Sequence, residues 1–281
     1  MLRLLLTGIC FFCSLYMLTF PRFQRVDMSG YTKMETVAKG LSSNCRTESA
    51  YMNLGLIEGE FTDYVDAAAA LVRRVAHVAG LSSSTRSVID VGCGYADQDM
   101  IFVKEFHVQH VKCVDIIDSH VRIARQRISD IGLSHRIQIE HGDAAMSMNT
   151  LPSSVDVVVS IDAALHLPSR ESFFKLAYEA LVVGGRLALS DQILKKGHIT
   201  ADDAPNDETI ERYVELLRVA GFHSIITENI TSKSYTLRHP HASTPPVRHS
   251  FVEEYGFSIV GQLLGIQGYN SYDMFLISAT K

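Results

Sequence analysis

Val88-Ile-Asp-Val-Gly-Cys-Gly-Tyr-Ala96 is the stretch that decides the fold: an apolar run carrying Asp90, followed at once by Gly92 and Gly94. Branched apolar residues bounded by glycine mark a buried strand. Glycine at its carboxyl end lets the backbone turn sharply and come close to a ligand, at the edge where open α/β sheets bind cofactors. A dinucleotide loop would need a third glycine at the sixth position. That position is Asp97, whose charge would also face a pyrophosphate, so a dehydrogenase is a distant third reading.

Outward from this loop the chain alternates strands and helices. Strands are predicted at 87–91, 111–115, 137–140, 155–160, 186–190, 224–228 and 272–280. Helices are predicted at 63–80 (capped by Thr62), 97–106, 119–131, 169–181 and 207–220. This pattern predicts an α/β domain whose mostly parallel sheet is covered on both faces. The long connection over 233–268, with a helix expected at 250–264, reads as a cover for the site.

Two more acids follow strands. Asp115 closes the second, 25 residues after Asp90, where a carboxylate can accept from both ribose hydroxyls; Asp143 follows the third, where an exocyclic amine could donate to it. Each alone reads equally well as a cap or turn residue. Together, at successive strand ends, they form a pattern.

With these residues the chain resembles the class I S-adenosylmethionine-dependent methyltransferases, from about Tyr51 to Lys281. The resemblance implies a Rossmann-like, seven-stranded sheet with an antiparallel last strand, and S-adenosyl-L-methionine as cofactor. It implies that Asp90, Gly92 and Gly94 hold the methionine part, that Asp115 with Ile116 holds the ribose, that Asp143 with Ala144 reaches the adenine, and that Ser160 lines the site. Ala96 stands where the family usually has a third glycine, and a methyl group there needs little room. Tyr51-Met-Asn53-Leu-Gly55 resembles the segment that closes over the cofactor, although Tyr51 and Asn53 read equally as core or cap residues. The stretch Ser160 to Asp191 is similar to the branch that methylates sterols, tocopherols, quinones and natural-product hydroxyls. In some hydroxyl-methylating members a His and an Asp at the positions of His166 and Asp191 act as general base and its orienting partner. The alternative for His166 is a loop or capping residue.

The resemblance thus points to a small-molecule acceptor, most simply a hydroxyl of a lipid-soluble or secondary metabolite. The alternatives are carbon methylation of a prenyl or sterol-like substrate, or a non-catalytic, membrane-anchored binding protein of the same fold. A net charge of −5 with scattered Lys and Arg gives no footprint for nucleic acid, and the twelve histidines include clusters such as His239-x-His241 but no two of them at i, i+4 on a helix with a carboxylate, so no metal site is expected. Five cysteines without repeated spacing make no disulfide framework, which suits a reduced, cytosol-facing domain. The oligomeric state cannot be read.

The amino terminus stands apart. Residues 1–25 form a hydrophobic segment, 26–50 a linker or lid, and 51–281 the catalytic domain. Leu4 to Phe20 carries no charge and as a helix would span roughly 26 Å, just short of a bilayer core. It reads as a membrane anchor holding a cytosol-facing domain, with Arg22 and Arg25 on its cytoplasmic flank. A cleaved signal, or an apolar helix packed on a cytoplasmic protein, are the competing readings.

Overall fold

The computed structural model describes residues 49–59, 63–195, 208–234 and 272–281. The segment Leu4 to Phe20, nearly all of the expected cover and its helix lie outside the described residues. Among the described residues, no helix is long and apolar enough to cross a membrane.

The elements run α1 (Tyr64–Ala79), β1 (Ser87–Val91), α2 (Asp97–Lys104), β2 (His110–Asp115), α3 (Asp118–Asp130), β3 (Ile137–His141), α4 (Ala144–Asn149), β4 (Val155–Ile161), α5 (Arg170–Ala180), β5 (Leu181–Leu194), α6 (Ile210–Val219), β6 (His223–Asn229) and β7 (Tyr272–Thr280). They build one seven-stranded sheet of order β3-β2-β1-β4-β5-β7-β6. Strands β1 to β5 pair in parallel, and β7 runs antiparallel to both β5 and β6. The order reverses between β1 and β4, and at such a switch point the loops after the two strands diverge and open a crevice.

The sheet is covered on both faces, as the strand composition requires. Leu71 and Val75 of α1, Phe102 of α2 and Val121 and Ile128 of α3 belong to one buried cluster. Met148, Phe173, Phe174, Leu216 and Leu217, from α4, α5 and α6, belong to the other. Helix α1 starts one residue later than expected, because Asp63 rather than Thr62 is its cap and accepts from the Asp66 amide. It stops at Gly80, whose φ of 70° turns its N–H back onto the last-turn carbonyls.

Strand β5 is the main departure from expectation, at Leu181–Leu194 rather than 186–190. Gly184-Gly185 suggests a turn, and the ladder is interrupted there: Leu181 lies opposite Val155 but Arg186 opposite Val157, so residues 182–185 bulge out, with Gly184 at φ of 78°. A Cβ on Gly185 would lie 2.9 Å from the Val182 carbonyl oxygen and 3.0 Å from that of Asp156, so glycine serves close backbone approach there. The short helix α4, which no periodicity announced, is capped by Asp143.

Candidate active site

The glycine loop leaves β1 at the switch point. Gly92 and Gly94 have φ of 77° and 58°. Added side chains would collide at 2.4 Å with Ala163 Cβ and at 2.5 Å with Met52 Cε, so the loop is pressed between the end of β4 and the segment around residue 52. Ala96 is also left-handed, with φ of 67°, and it immediately precedes α2. The expectation for Ala96 concerned room alone. The backbone cost, about 1 kcal/mol for a non-glycine residue, is the larger consequence of the missing third glycine.

Asp115 is tied directly to this loop. Its Oδ2 accepts from the Gly94 amide at 2.9 Å and its Oδ1 from the Ile117 amide at 2.8 Å. Oδ1 also faces the buried His120 Nδ1 at 3.5 Å, and Oδ2 keeps a further acceptor site. Ile116 beside it is 54% exposed, a bare apolar side chain on the same rim. Asp143 is exposed and caps α4 through Oδ1, accepting from the Ala145 amide, and Ala144 is buried behind it. The hydroxyl of Ser160 donates to the Val91 carbonyl at 3.0 Å, a bond that joins β4 to the end of β1. Asn53 is likewise spent on structure: its amide donates to the Ala68 carbonyl and its oxygen accepts from the Gly55 amide.

Beneath the loop lie groups that polarity patterns did not reveal. Asp90 and Asp99 are fully buried side by side; burial pushes both carboxyls up, the Asp115 charge adding to the effect at Asp90 and the Asp90 charge adding to it at Asp99. The oxygens of both, and Gln98 Nε2, have no hydrogen-bond partner among the described residues. Asp97 corrects an expectation, because its charge does not face a ligand. Arg127 grips it from α3, Nη1 to Oδ2 at 2.6 Å and Nη2 to Oδ1 at 2.8 Å, with both side chains buried. The case against a dinucleotide therefore rests on spacing, not on charge. Cys93 and Cys113 also depart from the expected free thiols: the structure joins them, Cα to Cα 5.6 Å, linking the glycine loop to β2.

Around the mouth, residues 50–57 form a strap. Tyr64 Oη donates to the carbonyls of Tyr51 and Asn53, the Leu56 amide to the Ala67 carbonyl, and the Ile57 amide to the Lys233 carbonyl. The Tyr51 phenol is half-buried, and burial pushes its pKa up to about 12 with the Asp97 charge adding to the effect, so it stays protonated.

On the far side of the mouth a single turn of 3₁₀ helix, Ala164–His166, follows β4. It sets His166 on the exposed rim, where neighbouring groups desolvate the ring enough to lower its pKa; the Asp191 charge opposes this and the Arg170 charge adds to it. Asp191 is close enough to act on His166 by charge, but its lone pairs go elsewhere. Oδ2 accepts from Arg170 Nε at 2.9 Å and Tyr213 Oη at 3.1 Å; Oδ1 accepts from Arg170 Nη2 at 2.9 Å and the Gln192 amide at 2.8 Å. Four bonds fill a carboxylate, so Asp191 is the partner of the buried Arg170, not an orienting hydrogen-bond acceptor for an imidazole.

Comparison with known proteins bears on this site directly. Residues 88–185, from β1 into β5, match the family model described as a methyltransferase domain. Erythromycin 3''-O-methyltransferase of Saccharopolyspora erythraea is 31% identical over 205 residues, covering 66% of this chain and 65% of that protein. Residues 88–185 thus carry a methyltransferase domain, and the chain is similar to class I S-adenosylmethionine-dependent methyltransferases. Phosphoethanolamine N-methyltransferase 1 of Arabidopsis thaliana is 27% identical over 155 residues, 53% of this chain and 31% of that protein. The chain thus spans less than two thirds of the length of these curated relatives. Among solved structures, the [4+2]-cyclase SpnF superposes with a TM-score of 0.69 at 19% identity, over 89% of this chain and 94% of that one, and shows the shared fold alone.

The residues present in this methyltransferase fit the family's cofactor, S-adenosylmethionine. Gly92 and Gly94 hold left-handed backbone without side chains at the switch point, and Asp115 Oδ2 keeps an acceptor site beyond its bond to the Gly94 amide. Asp115→Ala is expected to weaken S-adenosylhomocysteine binding by about 1.5 to 3 kcal/mol, measured by calorimetry, since it removes charge-assisted acceptors and frees the Gly94 amide as well. Binding unchanged by this substitution would contradict the assignment.

Proposed function

We propose that this methyltransferase transfers a methyl group to a hydroxyl of a small, lipid-soluble acceptor. The observation that carries this reading is the placement of His166, whose lowered pKa leaves it unprotonated near neutral pH, on the same carboxyl edge of the sheet as Gly92, Gly94 and Asp115. Similarity to a relative named as an O-methyltransferase supports it.

The cofactor, when bound, supplies a methyl group on an already activated sulfonium. The protein's part is then placement and proton handling. Gly92 and Gly94 would let the methionine portion approach bare backbone, and Asp115, with Ile116 beside it, would accept from the ribose. Asp143 would offer the adenine an acceptor. His166 takes the proton of the acceptor hydroxyl at an imidazole nitrogen. Asp191, locked to Arg170, favours the resulting imidazolium through its charge, which the Arg170 charge offsets in part.

An acceptor dissolved in lipid would suit a membrane anchor at Leu4 to Phe20, with the domain on the cytosolic side where the cofactor is made. One experiment tests both readings. The full-length protein is fractionated without detergent, then incubated with labelled S-adenosylmethionine and a lipid-soluble extract, and the product is identified by mass. The protein is expected in the membrane fraction and the label on an oxygen. A soluble protein overturns the anchor, and a label on carbon selects the carbon-methylating alternative.

A further inference from the structure

Asp162 has no role in the preceding account, yet it sits at the mouth in an unusual state. It follows β4 with φ of 53°, a left-handed conformation that costs a non-glycine residue energy and is retained where the surroundings require it. Its backbone amide donates to the Ser190 carbonyl at 2.9 Å, fixing it to the end of β5. The side chain then bridges two elements. Oδ1 accepts from Ser190 Oγ at 2.6 Å, and Oδ2 accepts from the Leu54 amide at 2.7 Å.

The second bond matters because of where Leu54 lies. Among the described residues, the other ties of the strap from Asn53 to Ile57 run to α1 or to the turn at Thr231–Lys233 and the Ser234 that follows it, whose hydroxyl donates to the Leu54 carbonyl. Two bonds among the described residues cross to the carboxyl edge of the sheet: Ala50 amide to Asp97 Oδ1 at 3.2 Å, and Leu54 amide to Asp162. They flank Tyr51, Met52 and Asn53, and the Met52 methyl group lies directly over Gly94.

We propose that Asp162 is a positioning residue that ties the strap 51–55 down over the glycine loop, and that this tie is required for tight cofactor binding. The inference rests on the methyltransferase reading for the identity of the ligand, but not for the existence of the tie. A carboxylate accepts from an amide more strongly than a neutral group does, so the tie depends on the charge of Asp162. Burial pushes its pKa up to about 6; the Asp191 charge adds to this, while the Ser190 hydroxyl and Leu54 amide pull the other way. Tyr64 on α1 also feels its charge, and Asp191 is itself paired with Arg170. The charged, strap-holding form therefore dominates above about pH 6 and is lost below it.

The test uses the full chain, with S-adenosylhomocysteine as probe, by calorimetry between about pH 5 and pH 8. The unsubstituted protein should lose affinity as the pH falls through about 6. Asp162→Asn should bind about tenfold more weakly near pH 7.5 and show no such loss, because it carries no charge to titrate. Ser190→Ala, nearly isosteric, removes a bond that favours the charged form and should move the loss of affinity to higher pH; a purely structural role would not produce that shift. Hydrogen exchange at the Leu54 amide should be faster in Asp162→Asn while α1 amides are unchanged. Affinity of Asp162→Asn within about twofold of the original, with the same pH dependence, overturns the proposal. If the unsubstituted protein binds no S-adenosylhomocysteine at any pH, the methyltransferase reading fails instead, and unchanged Leu54 exchange in Asp162→Asn would separately refute the tie.

Discussion

His166→Ala is expected to lower turnover on a hydroxyl acceptor by about 10²- to 10⁴-fold, the contribution of a positioned general base, with S-adenosylhomocysteine affinity essentially unchanged. The sign of the pH dependence follows from the lowered pKa of this ring. A base works only unprotonated, so the rate should rise with pH and level off, with its limb below the ordinary histidine value of about 6.5. Single-turnover rates with an identified acceptor measure this without interference from product release. Carbon methylation predicts otherwise, because a base would be needed only after transfer, to remove a proton from a carbocation. Full turnover in His166→Ala returns His166 to a loop role.

The second large effect is on stability, at the residue the sequence assigned to catalysis. Asp191→Ala is expected to destabilise the fold by about 3 to 5 kcal/mol, measured by urea unfolding, because it strips a buried arginine of its bidentate partner. Asp191 is 0% and Arg170 1% exposed, and neither can turn to water. Arg170 keeps Glu208 Oε2 at 2.8 Å and the Gln192 carbonyl at 2.8 Å, which softens the loss without replacing the pair. Against a typical total of about 5 to 15 kcal/mol this is a large share. The double substitution Arg170→Met with Asp191→Leu should recover much of the stability, since a well-packed apolar pair is often as stable as a buried ion pair. Equal stability of Asp191→Ala and the original protein would show that the knot joining α5, β5 and α6 carries no energy.

Much of the site was legible because its main signals are local. Glycine at 92 and 94 reports a backbone need that any neighbouring sequence would share, and the acids at 115 and 143 are fixed at strand ends by the pattern itself. Asn53 and Ser160 show the limit of such reading. A polar residue at the right place along the chain can still turn its atoms to a backbone carbonyl, as the Ser160 hydroxyl does to Val91. Asp162 was in plain view between Ser160 and His166, but nothing in its neighbours announces an amide from residue 54.

The sequence by itself determined the alternation of strands and helices and the switch-point loop after β1, because strand burial, helix periodicity and glycine turns are set within a few residues. The tertiary structure decided which charged groups meet. Arg127 reaches Asp97 from 30 residues away, Arg170 reaches Asp191 from 21 and the Leu54 amide reaches Asp162 from 108. A side chain's partner depends on where the sheet order brings distant strand ends together and on how many lone pairs are already filled there, and neither is written along the chain.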